Sequence, residues 1–231
     1  MIGSPSIRIS GVGCENMREE SHDSLERLTT IGPNGTINDV LLPGRTTSAS
    51  LVLENGRVKA TIDCDAPAKW VVLPPLADMH VHACRAFMLG HQFPKDLKDA
   101  IELARQTLGN YTEEDFFISA LTLFHRGCIH GTTRFRSHAE IDSKVKFKAL
   151  NGTVRAKNRL PEEVLVEIVA FATADLDPAS ADGIAMLRDA IAQGAEFLGA
   201  TLDFYSNSRK SIDALINLAV ELGVGVDVHI D

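Results

Sequence analysis

The 231-residue sequence has no Cys-x-x-Cys pair, no excess of positive charge and no apolar run long enough to span a membrane. Its four cysteines, Cys14, Cys64, Cys84 and Cys128, are irregularly spaced. That argues against a disulfide framework in a chain of this length and fits a reduced, cytoplasmic setting. A zinc deaminase of the Pro-Cys-x-x-Cys type is excluded with it. The net charge is −8, so no basic face is expected for nucleic acid or an anionic membrane. Met1-Ile2-Gly3-Ser4-Pro5 lacks the basic and then apolar stretches of a signal peptide. What remains is an ordinary globular balance, 45% hydrophobic and 23% charged.

Three regions are expected. Residues 1–48 show no sustained period, with one short helix suggested over Ser24–Leu28, and read as a poorly defined leader. Residues 49–72 read as a β segment. In it, two β-rich runs flank Asn55-Gly56, a pair suited to a type I′ turn because both central positions need positive φ. From residue 73 onward, strands and helices alternate, which predicts a parallel sheet. Strands are expected over Leu76–His82, Thr132–Glu140, Val164–Thr173, Phe197–Phe204 and Val224–Ile230. Helices are expected over Phe93–Leu108, Thr112–Arg126, part of Lys144–Asn158, Ala181–Gln193 and Ser211–Leu222. Thr112 is the expected N-cap of the second helix, and Gly127 and Gly131 its expected end. Five strands suit either an open sheet or part of a barrel.

The stretch Leu73-Pro74-Pro75-Leu76-Ala77-Asp78-Met79-His80-Val81-His82 carries the chemistry. Side chains two apart on a strand share a face, so His80 and His82 project together, as two imidazoles on one divalent ion must. Far along the chain, Asp227-Val228-His229-Ile230-Asp231 ends the last strand with another imidazole. At the same height it completes a three-histidine set suited to zinc or iron.

These motifs resemble the amidohydrolase superfamily and, within it, the cytosine deaminase-like branch. The likeness rests on Leu-Pro-Pro before His80-Val81-His82, on Arg136-Ser137-His138, on Ile168-Val169-Ala170-Phe171 and on Asp227-Val228-His229-Ile230-Asp231. It covers roughly residues 71–231. The resemblance implies an α/β fold: a (β/α)8 TIM-type barrel of which about five units are present, beside a small sandwich begun by the N-terminal hairpin. It implies one divalent metal, zinc or iron, held by His80, His82 and His229. It implies a metal-dependent aminohydrolase that attacks a C–N bond of an amino-heterocycle with activated water. The acid–base Glu, His and Asp of that branch are expected beyond Asp231.

Substrate-facing positions carried over from the resemblance are His138, Thr173 and Asp203. His138 reads equally as a satisfied core residue. Thr173 stands where the cytosine enzymes have a Gln, and Asp203 where they have a His, which favours a different amino-heterocycle or an N-substituted amine. Arg85 and His91 follow the first strand and read as surface residues. The expected partner is a small molecule, with no nucleic acid and no membrane. The competing expectation is a truncated or split chain, inactive alone, that serves as a structural or interaction half and needs an oligomer or a complementary chain.

Overall fold

The computed structural model describes residues 33–88, 94–173 and 175–230. The helix expected at Ser24–Leu28, His91 and Asp231 therefore lie outside the described residues. The chain divides after Pro75 into two compact units.

In the first unit, β1 (Gly35–Leu41), β2 (Ala49–Glu54), β3 (Arg57–Asp63) and β4 (Trp70–Val71) form one sheet in the order β3-β2-β1-β4. β2 alternates strictly, burying Ala49, Leu51 and Leu53, and with Val40 these supply the unit's small core. The β2–β3 hairpin turns at Asn55 (φ 52°) and Gly56 (φ 72°), the two positive φ values that a type I′ turn requires. β1 falls inside the stretch where the sequence shows no period. Its ladder is interrupted between Ile37 and Val40 by Asp39 at φ 58°, which breaks the alternation.

The second unit begins at Leu76. Its strands β5 (Leu76–Val81), β6 (Thr132–Ile141), β7 (Leu165–Ala172), β8 (Phe197–Ala200) and β9 (Gly225–Val226) form one parallel sheet in sequential order. Between them run α1 (Leu97–Asn110), α2 (Glu113–Ile129), α3 (Lys148–Lys157), α4 (Ala181–Ala192) and α5 (Ser208–Leu222). Thr112 caps α2 in a reciprocal capping box with Asp115, and three acidic residues fill its first turn. α5 ends at Gly223 in the left-handed region, as a helix-terminating glycine should.

The core lies between the sheet's outer face and the helices. Phe135, Val166, Ile168, Ala170 and Leu198 are all buried there, packed with Phe124, Leu187 and Leu215 from the helices.

Several boundaries differ from those read in the sequence, and three of them have a visible cause. Gly127 does not end α2 but lies within it; a Cβ there would stand 2.6 Å from the Phe135 ring, so the glycine allows close helix–strand packing. α5 starts three residues early because the Asn207 side chain accepts from Lys210 N at 3.0 Å and caps it. β8 stops at Ala200, and Leu202–Phe204 is a short 3₁₀ turn. The Tyr205 hydroxyl draws the chain off the ladder there, donating at 3.2 Å to the carbonyls of Ala172 and Thr173 at the end of β7. Asp203 consequently sits on an exposed turn instead of a strand end.

Curvature distinguishes a barrel segment from an open sheet. In a flat sheet β5 and β9 would lie roughly 19 Å apart, four interstrand spacings of about 4.8 Å. Yet the ring centroids of His80 on β5 and His229 just past β9 are 4.8 Å apart. The sheet is curled so tightly that its two edge strands meet side chain to side chain, the geometry of part of a (β/α)8 barrel.

Candidate metal centre

Alternation places the site. On β5 the inward positions are Asp78 and His80, followed by His82; on β6 they are Arg136, His138 and Glu140; on the β9 segment they are Asp227 and His229. The β9 segment continues the ladder past its last named strand residue: Asp227 N donates to Leu198 O and His229 N to Ala200 O, both at 2.9 Å. Gly199 makes room on β8, since a Cβ there would meet Asp227 O at 2.4 Å and a Val169 methyl at 2.6 Å. Four imidazoles thus converge at the C-terminal ends of the strands, where barrel folds place their sites.

His80, His82 and His138 bring a nitrogen each within 4.8 Å of one another. The His229 ring lies 4.8 Å from His80, 5.3 Å from His82 and 5.4 Å from His138. Phe171 packs against three of them, 4.5 Å from His229, 5.3 Å from His138 and 5.4 Å from His82. The rings are crowded, with the Asp227 carboxylate beside His138 at their edge, and the His82 Nδ1 is buried with no hydrogen-bond partner among the described residues. Burial pushes the His82 pKa far below the usual range, and the positive charge of Arg85 and the neighbouring imidazoles push the same way. His138 is lowered mainly by burial, against an upward pull from Asp227. Convergent imidazoles, of which His82 and His138 are biased toward the neutral form by burial, are the donor set that a divalent ion needs.

Asp78 is not part of that set: its carboxylate accepts from His80 N at 3.3 Å and so braces the strand. Thr173, just past β7, donates its hydroxyl to Asp142 Oδ2 at 3.2 Å. Arg85 does more than cover the surface. Its Nη1 lies 2.6 Å from Oε1 of Glu140, a carboxylate that is almost wholly buried. Burial raises the Glu140 pKa, while Arg85 acts to lower it. Cys84, beside them, is held inert: burial, with the Glu140 charge, pushes its thiol up to about 12.

From the sequence, His138 is expected to face substrate or to be a core residue, and Asp227 has no assigned role. His138 stands within the imidazole cluster itself, and Asp227 binds it, with Oδ1 at 3.2 Å from His138 Nε2. The signal was available as period two: Asp227 precedes His229 by two residues, and Arg136, His138 and Glu140 are spaced alike.

No family model matches this sequence. Over 190 residues it is 28% identical to the N-isopropylammelide isopropyl amidohydrolase of Pseudomonas sp. (strain ADP), covering 75% of this chain and 45% of that protein. The chain thus spans about half the length of the curated relative it matches. Among solved structures, 5-methylcytosine deaminase from Klebsiella pneumoniae liganded with 5-fluorocytosine matches with a TM-score of 0.73 at 22% identity, over 85% of this chain and 51% of that one. N-isopropylammelide isopropylaminohydrolase from Burkholderia multivorans matches with a TM-score of 0.65 at 25% identity, over 84% of this chain and 52% of that one.

Proposed function

We propose that the chain is of the amidohydrolase superfamily, on its cytosine deaminase-like side, and forms the metal-holding half of an aminohydrolase acting on an amino-heterocycle; the likeness to the N-isopropylammelide aminohydrolases supports this. His80, His82 and His229 would hold one divalent ion, zinc or iron. The observation that carries the reading is the convergence of imidazoles from β5, β6 and β9 at the C-terminal end of the curled sheet. A divalent ion bound there lowers the pKa of a water toward neutrality and so supplies the nucleophile for a C–N bond.

The chain's own groups do the rest of what this half can do. Burial keeps the His82 lone pair free of a proton at neutral pH. Phe171 packs against the His82 and His229 rings and so restricts their planes. Thr173 has already given its hydroxyl proton to Asp142, so it offers substrate only lone pairs. Asp203 offers an exposed carboxylate, also an acceptor. Two acceptors past neighbouring strands favour a donor-rich ring edge, as an amino- or alkylamino-substituted heterocycle presents. The relatives named above act on such rings, and that supports the same class here.

The second reading is a half that is inactive by itself. β5, at one edge of the sheet, is exposed along most of its length, including Leu76 and Met79, and Ile230 is exposed beyond β9. Unpaired apolar edges of this kind call for a cover, either further strands or a complementary chain. No helix among the described residues is long and apolar enough to cross a membrane.

The test is metal analysis of the full-length protein, then assay of ammonia or amine release from amino- and alkylamino-pyrimidines and triazines. The reading expects about one zinc or iron per chain and release that stops on chelation and in His82→Asn. A folded protein that takes up no divalent metal would sink it. Residues 1–231 binding metal without turnover would favour the second reading.

A further inference from the structure

Beneath the imidazoles lies a chain of charged contacts that the three proposed ligands do not use. Asp227 Oδ1 is 3.2 Å from His138 Nε2, and its Oδ2 accepts from Arg136 Nη1 at 3.1 Å. Arg136 donates its Nε to Glu167 at 2.8 Å and lies over the Phe197 ring, 4.1 Å from its centroid. Four adjacent strands, β6 to β9, are tied together by these contacts. His138 is fully buried, and its Nδ1 makes no well-formed hydrogen bond among the described residues, only a weak interaction with the Val81 backbone. A buried polar nitrogen left unused costs free energy, so its place in a cluster of imidazoles asks for a use.

A neutral imidazole has a single N–H. Two acceptors compete for it, the Asp227 carboxylate and the backbone carbonyl of Val81. Asp227 is the stronger. It is a carboxylate in direct contact with Nε2 at 3.2 Å, and Arg136 holds it there by donating Nη1 to its other oxygen at 3.1 Å. Charge-assisted hydrogen bonds are about twice as strong as neutral ones.

We propose that Asp227 is a positioning residue of the metal centre: it fixes the His138 proton on Nε2, so that Nδ1 keeps its lone pair as a further nitrogen donor beside His80 and His82. The proposal rests on the metal reading above. Arg136 is the clamp that keeps Asp227 in place, and Glu167 and Phe197 hold the clamp. A carboxylate behind the far nitrogen of a metal-holding imidazole is the arrangement that fixes its tautomer and raises its basicity.

The experiment uses the full-length protein, with zinc alone as the probe. Imidazole ¹⁵N NMR of the metal-free protein should show His138 as the Nε2–H tautomer. Asp227→Asn should give a mixture of tautomers and weaken zinc binding about 10- to 100-fold. Asp227→Glu, which restores the carboxylate, should recover part of that loss. A wild-type His138 protonated on Nδ1, toward Val81, overturns the proposal, as does unchanged zinc affinity in a folded Asp227→Asn. If neither variant folds, the wild-type tautomer decides alone. A protein that binds no zinc while His138 carries its proton on Nε2 would fail the metal reading and leave the Asp227–His138 pairing standing.

Discussion

The two faces of the same five strands have opposite characters. The outer face is apolar and dry: Phe135, Val166, Ile168, Ala170 and Leu198 pack on helices and are all but fully buried. One residue along each strand, the inner face carries Arg136, His138, Glu140, Glu167 and Asp227. A period of two keeps them apart, so the fold's stability and its chemistry are written on alternate letters. The difference teaches where each kind of mutation will register. Outer substitutions should change how well the chain folds, and inner ones what it holds.

The largest expected effect is on the inner face. His82→Asn removes a buried nitrogen from the cluster and should weaken metal binding by more than about 100-fold, beyond what the loss of a supporting residue costs. Its melting transition should stay within a few degrees of wild type in the metal-free protein. A variant that loses stability as heavily as a core substitution would show that the two faces are not separable. On the outer face, Ile168→Ala should cost about 2–5 kcal/mol in denaturant titration, because a fully buried side chain leaves a cavity between sheet and helices. The fraction that remains folded should bind metal with wild-type stoichiometry.

Much of this was legible in the sequence because alternation and turn chemistry are local. The Asn55-Gly56 turn, the Thr112 cap and the order of five parallel strands follow from residue types and spacing. So does the pairing of His80 with His82 on one face. What was not legible depends on distant contacts. The end of β8 is set by Tyr205 reaching the carbonyls of β7, which no pattern within residues 197–204 announces. Arg85 read as a surface residue because its partner, Glu140, lies on another strand. Spacing alone left an open sheet and a curled one both possible; the family resemblance implied the barrel, and the His80 to His229 distance bears it out.

The Arg85–Glu140 pair sharpens the comparison, since it is an inner-face contact with a stability role. Arg85→Met leaves a buried carboxylate without its cation and should destabilise by about 1–3 kcal/mol, less than a fully buried pair would lose because the Arg85 side chain is 34% exposed. Adding Glu140→Gln removes the stranded charge. The double variant should recover most of the loss in the same denaturant titration. If it recovers none, the pair acts through packing of the Arg85 stem and not through charge.

Acid should expose the inner face in a different way. Burial lowers the pKa of His82 and of His138 in the folded protein, while the unfolded chain keeps ordinary imidazoles near 6.5. As pH falls below about 6.5, the unfolded chain therefore binds protons that the folded one refuses. Stability must then drop with pH, by up to about 1.4 kcal/mol per pH unit for each histidine held neutral. Above that pH both states are neutral at these positions and the slope from them vanishes. Denaturant midpoints of the metal-free protein, measured from pH 7.5 down to 5, should show this fall, and His82→Asn should flatten it. Ile168→Ala should shift the whole curve down and leave its slope unchanged, because an outer-face methyl carries no proton. An equal slope in wild type and His82→Asn would mean that His82 is protonated in the folded chain, and the case for a ready-made nitrogen donor at that position would fall with it.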